Sequence, residues 1–169
     1  MSKVTFNEAN HTYHVNGVEY ISATTLMKKY GLSVDYGTIP ASVLAKAAMK
    51  GNAVHKALEE YIKGDQSMIS LFDEVKMFDN YVQTRGIDPK CIVPEEIVVD
   101  NTYEVAGTID VQYIDNTEDV LADFKTTSSL HLDVVAWQLS IYNFLACKGD
   151  MIKYYFKQLK VFHFYNGRM

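Results

Sequence analysis

The stretch Val105-Ala-Gly-Thr-Ile-Asp-Val-Gln-Tyr-Ile-Asp-Asn-Thr-Glu-Asp-Val-Leu-Ala-Asp-Phe-Lys125 predicts the centre of the fold. Its β-branched and aromatic residues favour extended structure, and the polar run in the middle is typical of a turn. The pattern therefore predicts an antiparallel pair of strands joined by a four-residue loop at 115–118. If Ile114 pairs with Asp119, the register places Asp110 directly opposite Asp123.

Two carboxylates in that position would have Cβ atoms about 5 Å apart, and their like charges would destabilise the sheet unless a cation lay between them. Lys125 follows Asp123 by two residues and therefore shares its face, whereas Phe124 points to the opposite side, toward a core. Oxygen ligands suit a hard cation such as Mg²⁺ or Mn²⁺, so the pattern indicates a metal site. A surface hairpin with an ordinary Asp–Lys pair remains the alternative reading.

His55 is a further candidate ligand, because imidazole also binds Mn²⁺. A helix predicted from Pro40 to about Ile62 has one apolar stripe, and His55 falls on it one turn after Gly51. The members of that stripe are Leu44, Ala48, Gly51, His55, Leu58 and Ile62. A histidine on such a face is also found simply hydrogen-bonded in a core. A glycine there would allow a close approach of the helix to another backbone.

The helix predicted over His131–Cys147 places Gln138 and Tyr142 on one face, since they are four residues apart. Apolar neighbours on that face indicate that it is at least partly buried. A glutamine there needs hydrogen-bond partners, either in a site or in a core.

The remaining segments complete an α+β pattern, a small sheet with helices on its faces. The expected elements are a hairpin over His11–Ile21 turning at Asn16-Gly17, a helix Ser22–Tyr30 capped by Ser22 or Thr24 and stopped at Gly31, one helix Ser67–Thr84, strands within Ile92–Ile114 broken at Asp100-Asn101, a strand Val120–Thr126 and a last strand Gln158–Tyr165.

The bulk properties fit one soluble domain over residues 1–169, with 48% hydrophobic residues and two cysteines, too few for a disulfide framework. No secretion signal or membrane-spanning run is recognisable, so a cytoplasmic setting is expected.

The net charge of −5 is unevenly distributed along the chain. Residues 64–123 hold fourteen acids against three bases, whereas the net charge is +3 for residues 28–63 and +4 for residues 148–169. This asymmetry permits a basic nucleic-acid track beside an acidic pocket, although charge alone favours an ordinary solvated surface.

Four motifs in order resemble the RecB-like exonuclease branch of the PD-(D/E)XK nuclease superfamily, including phage-type and mitochondrial single-strand exonucleases. They are Gly51-Asn-Ala-Val-His55, Gly107-Thr-Ile-Asp110, Asp123-Phe-Lys125 followed by Thr126-Thr127, and Gln138-Leu-Ser-Ile-Tyr142. The hairpin and Ser22-Ala-Thr-Thr25 also resemble the opening of such exonucleases. The resemblance covers most of the chain and implies a restriction-endonuclease-like core, a small mixed β-sheet flanked by helices with an N-terminal β-hairpin.

The resemblance also implies roles for individual residues. Asp110, Asp123, His55 and the Phe124 carbonyl would hold the metal, and Lys125 would act on the attacking water and the scissile phosphate. Gln138 would orient Lys125 or the phosphate, while Gly51 and Tyr142 would lie along the nucleic acid. Glu59 and Glu96 are candidates for an outer layer around the metal. Two cysteines cannot hold an iron–sulfur cluster.

The expected activity is Mg²⁺- or Mn²⁺-dependent hydrolysis of DNA, from single-stranded or frayed ends, in a bacterial or phage-infected cell. A recombination or replication protein is a further candidate partner. The alternative is a catalytically silent protein of the same fold that binds DNA or a partner protein, as a phage accessory or inhibitor would.

Aromatic residues near the C-terminus either stack bases or fill the core. They include Tyr154, Tyr155, Phe162, Phe164 and Tyr165.

Overall fold

A computed structural model of the chain describes residues 4–7, 12–147 and 156–169. This part of the chain is α+β and contains seven strands and five α-helices. The strands are β1 (Val4–Asn7), β2 (Thr12–Val15), β3 (Val18–Ser22), β4 (Val93–Asp100), β5 (Val105–Asp115), β6 (Glu118–Lys125) and β7 (Gln158–His163). The helices are α1 (Ala23–Lys29), α2 (Ala41–Ile62), α3 (Met68–Leu71), α4 (Asp73–Arg85) and α5 (Leu132–Ala146). The expected fold class is confirmed at this level.

The seven strands form one mixed sheet in the order β1-β2-β3-β5-β6-β7, with β4 paired to β5 beside this path. β5 is the centre of the sheet because it pairs with three other strands. Its pairing with β3 is parallel, and so is the pairing of β6 with β7, whereas the other pairs are antiparallel.

Along one edge, β5 pairs with β4 over most of the length of β5. The opposite edge pairs with β3 at Val105 and Ala106, and with β6 only from Val111 onward. Between these two partners β5 has a gap at Gly107–Asp110. There the Asp110 carboxylate accepts the Phe124 backbone N–H at 2.8 Å, so a side chain takes the place of a ladder bond. This opening in the sheet is where the candidate site lies.

Two turns set the strand registers. Asn16 and Gly17 adopt φ values of 52° and 86°, which close the predicted N-terminal hairpin with a tight turn. The turn between β5 and β6 contains only Asn116 and Thr117, at φ values of 49° and 71°. The expected four-residue loop is therefore wrong, because its outer residues pair with each other. The predicted pairing of Ile114 with Asp119 is confirmed.

The helices begin and end close to where the sequence predicts, with one exception. Ser22 caps α1 by accepting the Thr25 N–H, and Pro40 immediately precedes α2. The single helix expected over residues 67–84 is wrong: the extended Phe72 (φ −132°, ψ 121°) divides it into α3 and α4. Within the described ranges no helix is both long and apolar enough to cross a membrane.

The sheet separates two main cores. On one face, Phe124 packs with apolar side chains of α2 and α4, as its predicted inward orientation requires. On the other face, Ile109 and Leu121 pack with α1 and α5. Phe162 and Phe164 belong to the first core, whereas Tyr165 is exposed. Tyr154 and Tyr155 lie outside the described residues.

Candidate functional site

Three elements bring an imidazole and two carboxylates together at the opening in the sheet. His55 comes from α2, Glu95 from β4 and Asp110 from β5, and one ligand atom of each lies within 4.8 Å of the others. All three residues are half-buried. Carboxylate and imidazole atoms at this spacing could hold a divalent cation.

Glu95 is the residue that sequence reasoning missed. The antiparallel ladder pairs Pro94 with Val111 and Glu96 with Ile109, so Glu95 lies opposite Asp110. Its φ of 51° is unusual for a residue other than glycine, and it interrupts the regular pairing at this point. Burial, and then the charge of Asp110, raise the pKa of Glu95 to about 8. The turn expected at Asp100-Asn101 would have paired Asp110 with a different residue, whereas in the structure Asp100 pairs with Val105 and residues 101–104 form the loop.

His55 is held in a defined orientation. Its Nε2 lies 3.0 Å from the Phe124 backbone oxygen, and because a carbonyl only accepts, Nε2 carries the proton. In the neutral ring, Nδ1 is then an acceptor, and it lies 3.6 Å from Oδ2 of Asp110. Two acceptors facing each other in this way favour a cation between them. The Phe124 carbonyl, expected as a ligand, here contacts His55.

A second group of polar side chains adjoins the first. Gln138 of α5 donates from Nε2 to Oδ1 of Asp123 at 2.8 Å. Its Oε1 accepts from Nζ of Lys125 at 3.1 Å. The amide therefore bridges the acid and the base of the Asp123-Phe-Lys125 motif. The predicted shared face of Asp123 and Lys125 is confirmed, since Lys125 Nζ lies 2.6 Å from Oδ2 of Asp123.

Asp123 is a buried acid in an unusual electrostatic position. Burial, and then the negative charge of Asp110, raise its pKa to about 6, although Lys125 acts in the opposite direction. Its Oδ2 is buried and forms an ion pair with the Lys125 ammonium at 2.6 Å, but among the described residues it accepts no hydrogen bond. Such an oxygen can accept a further donor or a cation.

Tyr142 lies under the site with 6% of its surface exposed. A Cβ built on Gly107 would lie 2.4 Å from Cε1 of Tyr142, so the ring can pack here only because position 107 is a glycine. Burial, and then the charge of Asp110, raise the pKa of the Tyr142 hydroxyl. Tyr142 therefore offers little surface to a ligand. The expected contact of Tyr142 with nucleic acid stays a prediction.

Of the two residues expected in an outer layer around the metal, Glu59 and Glu96, only Glu59 lies near the cluster. Glu59 pairs with Lys56 and Lys63, and it lies close enough to Glu95 to raise the pKa of that carboxyl. Glu96 is exposed and accepts from Gln112, so the structure does not bring it into the cluster.

Gly51 is in the middle of α2, and a Cβ there would lie 3.3 Å from Oγ1 of Thr126. The glycine therefore lets α2 pass close to the segment that follows Lys125. The neighbour at this position is a side chain and not the backbone that the sequence led us to expect.

The residues fit a divalent cation. The ligand set combines one imidazole with carboxylates, which suits Mg²⁺ or Mn²⁺. The hydrogen bond from His55 to the Phe124 carbonyl is the kind of contact that orients metal-binding histidines. The His55–Glu95–Asp110 cluster lies beside Asp123 and Lys125, since Asp110 accepts the backbone N–H of Phe124, the residue between them.

Comparisons with known proteins leave the chain without an assigned family. No protein-family model matches it. No curated protein matches it either.

Proposed function

We propose that this protein is a metal-dependent nuclease that hydrolyses phosphodiester bonds in DNA. The observation that carries the proposal is the adjacency of two groups: the His55–Glu95–Asp110 cluster, and Lys125 bridged to Asp123 by Gln138. The first group suits a divalent cation and the second suits a reaction at a phosphate. We further propose a restriction-endonuclease-like core of the PD-(D/E)XK type, RecB-like branch. The four motifs of that resemblance support this, since they converge on one opening in the sheet.

The metal ligands in this proposal are Nδ1 of His55 and the carboxylates of Glu95 and Asp110, with Asp123 as a further ligand when its Oδ2 turns from Lys125. A bound Mg²⁺ or Mn²⁺ would polarise the phosphate, offset its developing negative charge and lower the pKa of a bound water. The Phe124 carbonyl keeps His55 in the tautomer that leaves Nδ1 free.

The protein residues position the reaction. Hydrolysis adds the oxygen of water to phosphorus and breaks one P–O ester bond; the departing oxygen gains a proton and the water loses one. Lys125, with a quarter of its side chain exposed, can hold the attacking water and contact the phosphate. Gln138 keeps Lys125 beside Asp123. Asp123, whose pKa is raised to about 6 by burial, can exchange a proton near neutral pH.

We propose single-stranded or frayed DNA ends as the substrate. The acidic total charge supports modest affinity that depends strongly on salt, since few lysines are available to contact phosphates.

The test is a gel assay on end-labelled single- and double-stranded DNA with Mg²⁺, Mn²⁺ or chelator. We expect cleavage that requires the metal and is lost in Asp123→Asn and Lys125→Ala. Asp119→Asn is a matched control, because Asp119 is an exposed acid on the same strand. It should cleave as the wild type does.

Absence of cleavage by folded protein with every metal would overturn the proposal. Binding of DNA under those conditions, unchanged by Lys125→Ala, would instead favour the alternative of a catalytically silent binding protein.

A further inference from the structure

The segment from Lys28 to Lys50 contains no buried residue, although it joins two helices of the protein body. We call residues 28–50 the basic arm. Only Leu32, Val34 and Leu44 are even half-buried in it. The arm includes the first ten residues of α2, so the helix continues for almost three turns beyond its packed part.

The exposed part of α2 continues the stripe on which the candidate metal ligand lies. Leu58 is fully buried and His55 half-buried, whereas Ala48 on the same stripe is exposed. Toward the N-terminus, the stripe changes from half-buried at Gly51 to exposed at Ala48. At Gly51, α2 passes Thr126, the residue that follows Lys125. The exposed stripe therefore begins at the edge of the candidate site.

The side chains of the arm combine apolar surface with positive charge. Tyr30 is 68% exposed and Met49 73% exposed, and three further large apolar residues are also exposed. These three are Tyr36, Ile39 and Val43. The arm holds four lysines against one acid in a protein of net charge −5. Lys50 pairs with Glu74, but in the described part of the structure Lys28, Lys29 and Lys46 make no ion pair.

We propose that the basic arm binds a single nucleic acid strand and leads it to the candidate metal site. This inference rests on the proposed function and adds the surface that holds the substrate. Lysines with exposed aromatic and aliphatic side chains are the composition that binds single strands, through phosphate contacts and base stacking. Residues 64–123 are poorly suited to this role, because they carry fourteen acids against three bases.

The charge of the arm also disfavours a dimer in which the basic arms of two copies of the chain pair with each other. Symmetric pairing would place the lysines of one arm against those of the other, and like charges in contact weaken association. A strand of phosphates neutralises them instead.

The test compares two double charge reversals that change the net charge equally. Lys28→Glu with Lys46→Glu alters the arm, and Lys76→Glu with Lys90→Glu alters exposed lysines elsewhere. Binding of fluorescent oligo(dT) is measured by anisotropy at several salt concentrations, in a Lys125→Ala background that prevents cleavage. We expect the arm variant to bind at least tenfold more weakly, with a log–log salt slope reduced by about 1.4 for two lost phosphate contacts. The control variant should stay within about twofold of the parent.

A second substrate separates this inference from the proposed function. Bis(p-nitrophenyl) phosphate is too small to reach the arm. With Lys125 intact, the arm variant should therefore hydrolyse it at the wild-type rate with Mn²⁺ while losing oligonucleotide cleavage. If the wild type hydrolyses neither substrate but the arm variant still loses binding, the proposed function fails while strand binding by the arm stands.

Two results would overturn the arm proposal. One is equal oligo(dT) binding by the arm and control variants. The other is a wild-type dimer in sedimentation that Val43→Asp with Met49→Asp converts to a monomer, which would make the arm a contact between copies. Unchanged melting temperatures of the lysine variants ensure that the comparison concerns binding and not folding.

Discussion

Glu95 lies directly opposite Asp110 in the ladder between β4 and β5, with carboxylate oxygens within 4.8 Å of each other. Two acids this close on a half-buried face repel each other, and burial raises the pKa of Glu95 to about 8. A divalent cation would remove that repulsion. The pair therefore carries an electrostatic cost that is relieved only by a proton or by a metal.

Replacing Glu95 by Gln should weaken Mn²⁺ binding at least tenfold, because a charged ligand becomes a neutral one while the shape is kept. Isothermal titration calorimetry measures the effect. Glu96→Gln is the matched control, since Glu96 is the adjacent acid and is exposed. Equal affinities of the two variants would exclude Glu95 as a ligand.

Metal affinity should rise with pH up to about pH 8, since binding must displace the proton from Glu95. Calorimetry in two buffers of different ionisation enthalpy would detect the released proton near pH 7. An affinity independent of pH from 6 to 8 would contradict this assignment.

In the absence of metal, the free energy of unfolding should fall as pH rises, whereas metal affinity rises. The pKa of Glu95 rises from 4.5 to about 8 on folding, so between these values the folded state holds a proton that the unfolded state has released. The free energy of unfolding therefore falls as pH rises through this window. Urea unfolding in chelator should show the decline for the wild type, and Glu95→Gln should flatten it. A parallel decline in both proteins would assign it to other groups, such as Asp123.

Gln138→Ala should lower kcat for DNA by at least tenfold and leave Mn²⁺ affinity nearly unchanged. Gln138 contacts Asp123 and Lys125 but none of the three clustered ligands. Ser140→Ala, on the exposed side of the same helix, is the control. A loss of metal affinity equal to the loss of kcat would show that Gln138 acts through the metal site instead.

Gly107→Ala should destabilise the protein by about 1–3 kcal/mol, the usual effect of overpacking a core. The new Cβ would meet the Tyr142 ring at 2.4 Å. The same substitution in a Tyr142→Ala background should cost much less, because the ring is absent. Thermal unfolding of the four proteins measures the coupling. Equal costs in both backgrounds would place the strain elsewhere.

Asp115→Asn should destabilise the protein by about 1.5–3 kcal/mol, because it removes the negative charge that accepts hydrogen bonds from two partly exposed cations. Asp115 is fully covered and binds Arg85 and Lys160. Burial alone would raise the pKa of Asp115, but hydrogen bonds from Lys160 and Arg85 outweigh it and lower the pKa.

The stabilisation by Asp115 is therefore present above the usual aspartate pKa and is lost as pH falls through the lower pKa of the folded state. Acid unfolding should show this loss in the wild type and not in Asp115→Asn. The exposed Asp119→Asn serves as control. A wild-type acid transition reproduced by Asp115→Asn would rule out this carboxylate as its source.

Local patterns predicted most of the secondary structure because their causes are local. Asn16-Gly17 can adopt positive φ, Ser22 can cap a helix, and alternation places Phe124 opposite Asp123 whatever surrounds them. The register of β5 and β6 also followed from their short connection. The break at Phe72 escaped prediction, since helical spacing continues through it.

The sequence by itself determined which residues share a strand face or a helix face, and therefore that Asp123 accompanies Lys125 and Gln138 accompanies Tyr142. Only the tertiary structure decided that Glu95, and not Glu96, joins His55 and Asp110. It also left the N-terminal part of α2 exposed although the apolar stripe continues through it. The physical reason is that spacing along a chain specifies direction within one element, whereas a metal site and a free surface depend on which elements meet in space.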